Sequence, residues 1–343
     1  MMSKLSTFAT SLALTLVTSS AIAATPLDEC NKKIKADPKT IKVELKMVTL
    51  APAGSQWAKE FQGWSDDVLT ESDCTVALKW YWNGGGGGDE LRMVADLRQG
   101  QKHGAAMTAI GLSEIYKEIL LFQLPGLYEN WPALDAARDG ERKFFEEEFS
   151  KRGFAIVGWG DVGAAKMLSV GTAIKTPADL KDLAAYHLPG DNISPMFFSK
   201  LGLKARPMSI GEVGSHLGKD VNVLNMAPYA AEQLQLASKV TNMTAMTVAF
   251  VTGALVIKKE KLDSLTPEQR ELILRTGKAH GDALTKTIRN QDAAAFTRMK
   301  TSKQTYTPTA EEVKAWQEVF ASTRKALRGA PFNPDVFDRI VKH

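Results

Sequence analysis

The sequence predicts an exported α/β protein of two lobes, with a cleft between them and a helical C-terminal region. Three observations carry that expectation: an N-terminal segment patterned as a secretory leader, a strand–helix alternation that runs twice, and a change to helical periodicity alone from Thr266 onward. A chain of 343 residues with 44% hydrophobic content is long enough to bury two cores. Its 43 Lys and Arg against 39 Asp and Glu leave a formal net charge of +4, spread without a basic block. A nucleic-acid surface needs clustered cations to displace counterions, so no nucleic-acid partner is expected.

Residues 1–24 read as the leader. Lys4 supplies the positive start, residues 8–17 are mostly apolar, and Ala21-Ile22-Ala23 is a small-x-small cleavage pattern, which puts cleavage near Ala23 or Ala24 and the mature chain in the periplasm. The apolar run is shorter than the ~20 residues that a membrane span needs, and the later apolar run 248–257 stops at Lys258-Lys259. Export gives the two cysteines a meaning. In an oxidising compartment an even pair, Cys30 and Cys74, is expected to be bridged, pinning the N-terminal arm to the domain. Two cysteines also exclude an all-cysteine zinc site and a cysteine-held iron–sulfur cluster.

The alternation begins with an apolar strand at 43–50. A helix over 55–70 follows, with Trp57, Phe61, Trp64 and Val68 at three- and four-residue spacing. A second strand covers 76–82 and ends in the glycine run 84–88; a helix at 90–98 and a short buried strand at 105–108 come next. The pattern resumes at 154–159. Such alternation predicts a mostly parallel sheet covered by helices, with ligands bound beyond the carboxyl ends of the strands. Pro267 opens a long helix reaching towards Phe296, and a further helix runs over 310–327.

Gly158-Trp159-Gly160-Asp161-Val162-Gly163 matches G-x-G-x-x-G after a strand. A dinucleotide fingerprint also needs a helix opening at the last glycine. Here 164–170 runs into Gly171-Thr172 and Thr176-Pro177, which leaves little room for it, and Trp159 is too bulky for close approach of a pyrophosphate. The segment is therefore expected to be a strand-end loop facing the cleft, and no cofactor is expected. The run 84–88 lacks the Gly-Lys-Ser/Thr ending of a phosphate loop and precedes Asp89-Glu90, so it reads as a turn. The five histidines show no metalloprotease spacing, and no G-x-S-x-G elbow is present; neither a metal site nor an enzyme is expected. Aromatic residues are more informative. Trp80 reads as core, whereas Trp82 and Trp159, at strand ends, are open between core and pocket wall.

Over nearly all of the mature sequence the chain resembles the extracytoplasmic solute receptors of tripartite ATP-independent periplasmic (TRAP) transporters. The resemblance rests on Trp80-Tyr81-Trp82-Asn83 with Gly88-Asp89-Glu90, Leu97-Arg98-Gln99-Gly100, Ala105-Ala106-Met107-Thr108 and Gln123-Leu124-Pro125-Gly126-Leu127-Tyr128. Further on it rests on Lys175-Thr176-Pro177-Ala178-Asp179-Leu180-Lys181, on 201–208, and on Leu265-Thr266-Pro267-Glu268-Gln269. It implies the two-lobed periplasmic binding protein fold with a hinge and a long C-terminal bracing helix. The implied organisation is a leader at 1–24, the first part of lobe I at 25–152, lobe II at 153–240, a return to lobe I with the start of the long helix at 241–290, and a helical region packing across the lobes at 291–343. The implied function is capture of a small organic ligand and its delivery to TRAP integral membrane subunits, without chemistry.

The chain departs from that family where an arginine usually forks onto a ligand carboxylate, a pairing that other side chains copy poorly. Here Leu183-Ala184-Ala185-Tyr186-His187-Leu188-Pro189 puts Tyr186 or His187 in that place, and Lys166 lies near the register of a second cleft arginine. The family's QTG-x-V-D-G segment reads Gly218-Lys219-Asp220-Val221-Asn222-Val223. The tryptophans with Met226, Phe250 and Tyr229 suit a larger, partly apolar or aromatic ligand, which makes a carrier of such a ligand for a different membrane partner the alternative. The expected cleft residues are Trp82, Thr108, Trp159, Lys166, Tyr186, His187 and Tyr229.

Overall fold

Among the described residues the chain forms nine strands: β1 (Val43–Thr49), β2 (Val76–Tyr81), β3 (Gly104–Thr108), β4 (Phe154–Ser169), β5 (Ala184–His187), β6 (Lys204–Pro207), β7 (Val223–Met226), β8 (Asn242–Lys258) and β9 (Gln304–Tyr306). The computed structural model describes residues 24–343; the expected leader at 1–24, apart from Ala24, lies outside the described residues. One sheet takes all nine strands in the order β2-β1-β3-β8-β4-β7-β5-β6, with β9 added to β8. Parallel pairing joins β1 to β2 and β3 in one half, and β5 to β6 and β7 in the other. Every antiparallel pair involves β4 or β8. The sheet is therefore more mixed than the strand–helix alternation predicts, because two long strands run through its centre in opposite directions.

These two strands have 16 and 17 residues, against about five or six in an ordinary strand. At about 3.3 Å per residue each spans roughly 50 Å, enough to belong to both halves of the sheet. Residues 154–160 of β4 pair with the end of β8 beside β3, and 166–169 pair with β7. Register shifts between Ile156 and Gly158, Asp161 and Gly163, and Ala165 and Met167 bend the β4–β8 ladder between these regions.

The helix Pro267–Ser302 runs along β4 as a spine. Its 36 residues make it about 54 Å long. Thr266 caps it through a capping box with Gln269, and its buried positions Ile273, Gly277, Gly281, Leu284, Ile288, Ala295 and Met299 recur at three, four or seven residues. It is longer than the expected reach to Phe296. The glycines explain how it sits so close. A Cβ on Gly158 would lie 2.4 Å from the Gly277 carbonyl oxygen, and one on Gly281 would lie 2.6 Å from the Trp159 carbonyl oxygen. The G-x-G-x-x-G segment is thus neither a nucleotide loop nor a strand-end loop. It lies inside β4, where its first glycine gives backbone room to the spine and Gly163, at φ +143°, sits at a register shift.

Two further devices tie the chain together. Cys30 and Cys74 are disulfide-bonded with their Cα atoms 5.3 Å apart, fastening the helix Pro26–Ala36 to the turn before β2. Closing a loop with a sequence separation of 44 contributes about 3–4 kcal/mol on the chain-entropy model. Near the C terminus, the helix Ala310–Leu327 buries Trp316 and Phe320. Trp316 Nε1 donates to the Lys175 carbonyl oxygen at 3.0 Å, while Arg324 donates to the Pro125 carbonyl oxygen. One helix thereby grips segments from both halves of the sheet. Lesser departures from expectation are local: β2 ends at Tyr81 and leaves Trp82 outside it, and Gly84–Gly87 forms a single helical turn. Among the described residues no helix is long and apolar enough to cross a membrane.

Replacing Gly158 by alanine is expected to destabilise the protein by about 1–3 kcal/mol, since the methyl group meets backbone that cannot rotate away. Gly211→Ala, with nothing within 4 Å of the new methyl group, should change stability by no more than about 1 kcal/mol and in the favourable direction. Urea unfolding of both variants checks the contrast.

Candidate ligand-binding cavity

The carboxyl ends of β1, β3, β5 and β7 converge on one partly open space, with the middles of β4 and β8 as its floor. Its volume is about 250 Å³. One half of the sheet contributes Thr49 with the turn after it, and Met107, Thr108 and Ile110; the other contributes Tyr186, His187 and 225–227. Helices complete the wall. Gln56–Glu71 presents Trp57 and Phe61, one turn apart, Ser194–Lys200 presents Phe197 and Phe198, and the spine presents Leu284. The wall is mainly apolar, and among its described residues there is no lysine and no arginine.

Three carboxylates reach this wall, and each already has partners. Glu90, only 3% exposed, follows the Asp89 N-cap of the helix Glu90–Arg98. One of its oxygens accepts from Thr108 N at 2.6 Å, and the other from Thr108 Oγ1 at 2.6 Å and Gly111 N at 2.9 Å. Burial raises its pKa to about 7, against the opposing pull of these hydrogen bonds. Asp161 accepts from Arg138 Nη1 and Arg289 Nε, both at 2.7 Å. Both arginines also bind Asp135: Arg289 takes it with two nitrogens at 2.6 and 2.7 Å, and Arg138 with one at 2.9 Å. Two arginines and two aspartates thus form a closed box joining the helix Trp131–Lys151, β4 and the spine, and hydrogen bonds from Arg289 hold the Asp135 carboxyl below its usual range. Asp191 precedes the next helix, and one of its oxygens accepts from Ile193 N at 2.9 Å and Ser194 N at 3.0 Å.

Tyr186, His187 and Asn225 add further polar groups to the wall. Burial raises the pKa of the Tyr186 hydroxyl, so it stays a phenol at physiological pH. His187 Nδ1 sits 3.2 Å from the Leu188 carbonyl oxygen. Asn225 Oδ1 is buried with no hydrogen-bond partner among the described residues.

Of the seven expected cleft residues, the structure brings Thr108, Tyr186 and His187 to the cavity wall. The other four lie elsewhere. Trp82 stacks on Trp80 at 5.6 Å, and Trp80 stacks in turn on Phe61. Trp159 is buried against Phe122 and Phe145, with Nε1 donating to Glu146, because β4 does not end there and the ring points into the other core. Lys166 neighbours Ala165 of the wall but points away, donating to Thr247 Oγ1 at 2.6 Å with the Phe296 ring 5.1 Å off; burial lowers its pKa to about 8. Tyr229 stands one layer back, its ring 4.8 Å from Trp57 and its hydroxyl accepting from Gln56 N at 3.2 Å. Met226 lines the wall, while Phe250 packs on Trp131. Sequence reasoning missed Glu90, which looks like an ordinary acidic first-turn residue, and Trp57 and Phe61, whose spacing reads as core. Asn225 carried a visible signal, a lone amide inside the apolar strand β7.

Two of these groups make stability depend on pH. Glu90 binds its proton more tightly folded than unfolded, so its contribution is complete below about pH 4.5 and is lost as pH rises through 7. Glu90→Gln removes that slope, on the order of 3 kcal/mol; relative to wild type, its Tm should rise from pH 5.5 to pH 8.5. Lys166 acts in the opposite sense, its contribution being lost as pH falls through 8. Lys166→Met should therefore raise the urea midpoint at pH 7, with a smaller gain at pH 10. Parallel unfolding series across pH check both expectations.

A family model described as "DctP: Bacterial extracellular solute-binding protein, family 7" matches residues 47–328. No curated protein matches the chain. Among solved structures, the sugar acid binding protein DctPAm from Advenella mimigardefordensis, in complex with galactonate, is similar with a TM-score of 0.80 and 18% identity, over 88% of this chain and 99% of that one. A TRAP periplasmic solute binding protein from Ralstonia eutropha with bound (S)-2-acetolactate gives 0.79 and 23%, over 88% and 99%. One from Sulfurospirillum deleyianum with bound succinate gives 0.77 and 16%, over 88% and 98%. At such identities the likeness is one of fold, and it is the two-lobed fold expected above. With the family match covering most of its length, the chain belongs to family 7 of the bacterial extracellular solute-binding proteins.

Proposed function

We propose that this chain is the solute receptor of a TRAP-type transporter, capturing a small organic molecule in the cavity and delivering it to the integral membrane subunits from the periplasm. The observation that carries the reading is the position of the cavity. Its walls come from both halves of one sheet, which β4 and β8 join through a bent ladder, so a change at the bend opens or closes the space. We assign the lobes as 25–152 and 153–240, with 241–290 returning to the first and 291–343 packing across both. Thr108, Tyr186 and His187 are the polar contacts proposed for the solute. Trp82, Trp159, Lys166 and Tyr229 support the walls from behind.

The mainly apolar wall favours a second reading, a carrier of a larger apolar or aromatic ligand serving a different membrane partner. The similar structures described above, whose ligands are organic acids, give it no support.

Native mass spectrometry of the mature chain, purified from its own periplasm, should show a small-molecule adduct at one per chain. Small-angle scattering before and after mild-denaturant removal of that molecule should show a larger radius of gyration for the stripped protein. A chain that retains nothing and keeps one radius in both states is not a closing receptor.

A further inference from the structure

Resting on the receptor reading, we infer that the solute is an uncharged, mainly apolar molecule with a hydrogen-bonding group read by the Asn225 amide, and that carboxylates are excluded. Charge supports the exclusion. Among the described wall residues no lysine or arginine is present. The arginines standing behind Asp161 are committed, Arg138 and Arg289 both being shared between Asp161 and Asp135. A ligand carboxylate would therefore shed its water without meeting a lysine or an arginine, in a wall that already holds Glu90, Asp161 and Asp191.

The same carboxylates do not make the wall a cation site. Glu90 accepts three hydrogen bonds, Asp161 accepts two from arginines, and Asp191 accepts two from backbone amides. At Glu90 and Asp161 an ammonium group would have to compete with partners already in place, and at Asp191 both backbone amides bind Oδ1.

Asn225 is different. Buried polar atoms are nearly always paired, yet its Oδ1 has no partner among the described residues and its residue lines the cavity. An amide presents an acceptor and two donors, so it reads a hydroxyl, a carboxamide or a ring N–H, and it carries no charge to attract an ion. Losing such a contact is the kind of difference by which a polar subsite discriminates analogues strongly, because the protein's buried group is left unpaired.

The test uses ligands of one carbon skeleton and three charges: benzamide, benzoate and benzylamine, with toluene as the apolar reference, at pH 8. Each is titrated against the mature protein carrying 1-aminoanthracene, whose fluorescence reports occupancy of an apolar cavity. Benzamide should displace the dye at concentrations at least tenfold below benzoate and benzylamine. In Asn225→Leu the preference for benzamide over toluene should fall by about tenfold while dye affinity persists; Asn225→Ala serves if the leucine variant does not fold. Displacement by benzoate or benzylamine as readily as by benzamide overturns the inference, as does a benzamide preference unchanged in both variants. Succinate or galactonate that displaces the dye and lowers the radius of gyration would overturn it while leaving the receptor reading intact. If neither the dye nor any of these compounds binds and the radius never changes, both fall.

Discussion

Gly277 and Gly281 let the spine helix lie directly on the backbone of β4, and the rest of the structure depends on that contact. Side chains ordinarily hold packed layers of helices or sheets about 8–10 Å apart; here carbonyl oxygens of strand and helix occupy the space where a Cβ would stand. The seam positions everything the spine carries. Arg289 reaches Asp161 and Asp135, while Asp292 accepts from Ala164 N at 2.8 Å and Tyr229 N at 3.0 Å. Tyr229 in turn holds the start of the helix that presents Trp57 and Phe61. One close approach thus sets the floor, the charge box and one aromatic wall of the cavity.

The distribution of charge follows from burial. Ions enter a low-dielectric interior only when paired, and the Arg138–Asp161–Arg289–Asp135 box meets that condition by matching two cations with two anions. Such matching joins three elements, and it also leaves no guanidinium for a ligand. Glu90, which has hydrogen bonds but no cation, shows the consequence of burial without a counterion: its carboxyl titrates near 7. Beside Tyr186 and His187, the described wall therefore carries no lysine or arginine.

Much of the fold was legible because it is locally encoded. Thr266-Pro267 with Gln269, and Thr309 with Glu312, announce the starts of the two C-terminal helices through capping boxes that need no tertiary partner. The strands near 43, 76 and 105 and the helix Glu90–Arg98 were readable for the same reason. The length of β4 was not. Trp159-Gly160 resembles a strand end by composition, and only pairing with β8 carries the ladder on to Ser169.

By itself the sequence determined the order of elements, the family resemblance, the expectation of a Cys30–Cys74 bond and the lack of an arginine in 183–189, since each is a property of neighbouring residues or of composition. Only the tertiary structure decided which aromatic rings face the cavity. Trp57 and Trp159 are equally apolar and both sit in regular elements, yet one lines the wall and the other packs beside Phe122 and Phe145. Which face of a strand or helix becomes a wall depends on what packs behind it. Here that is a spine more than 100 residues further along the chain.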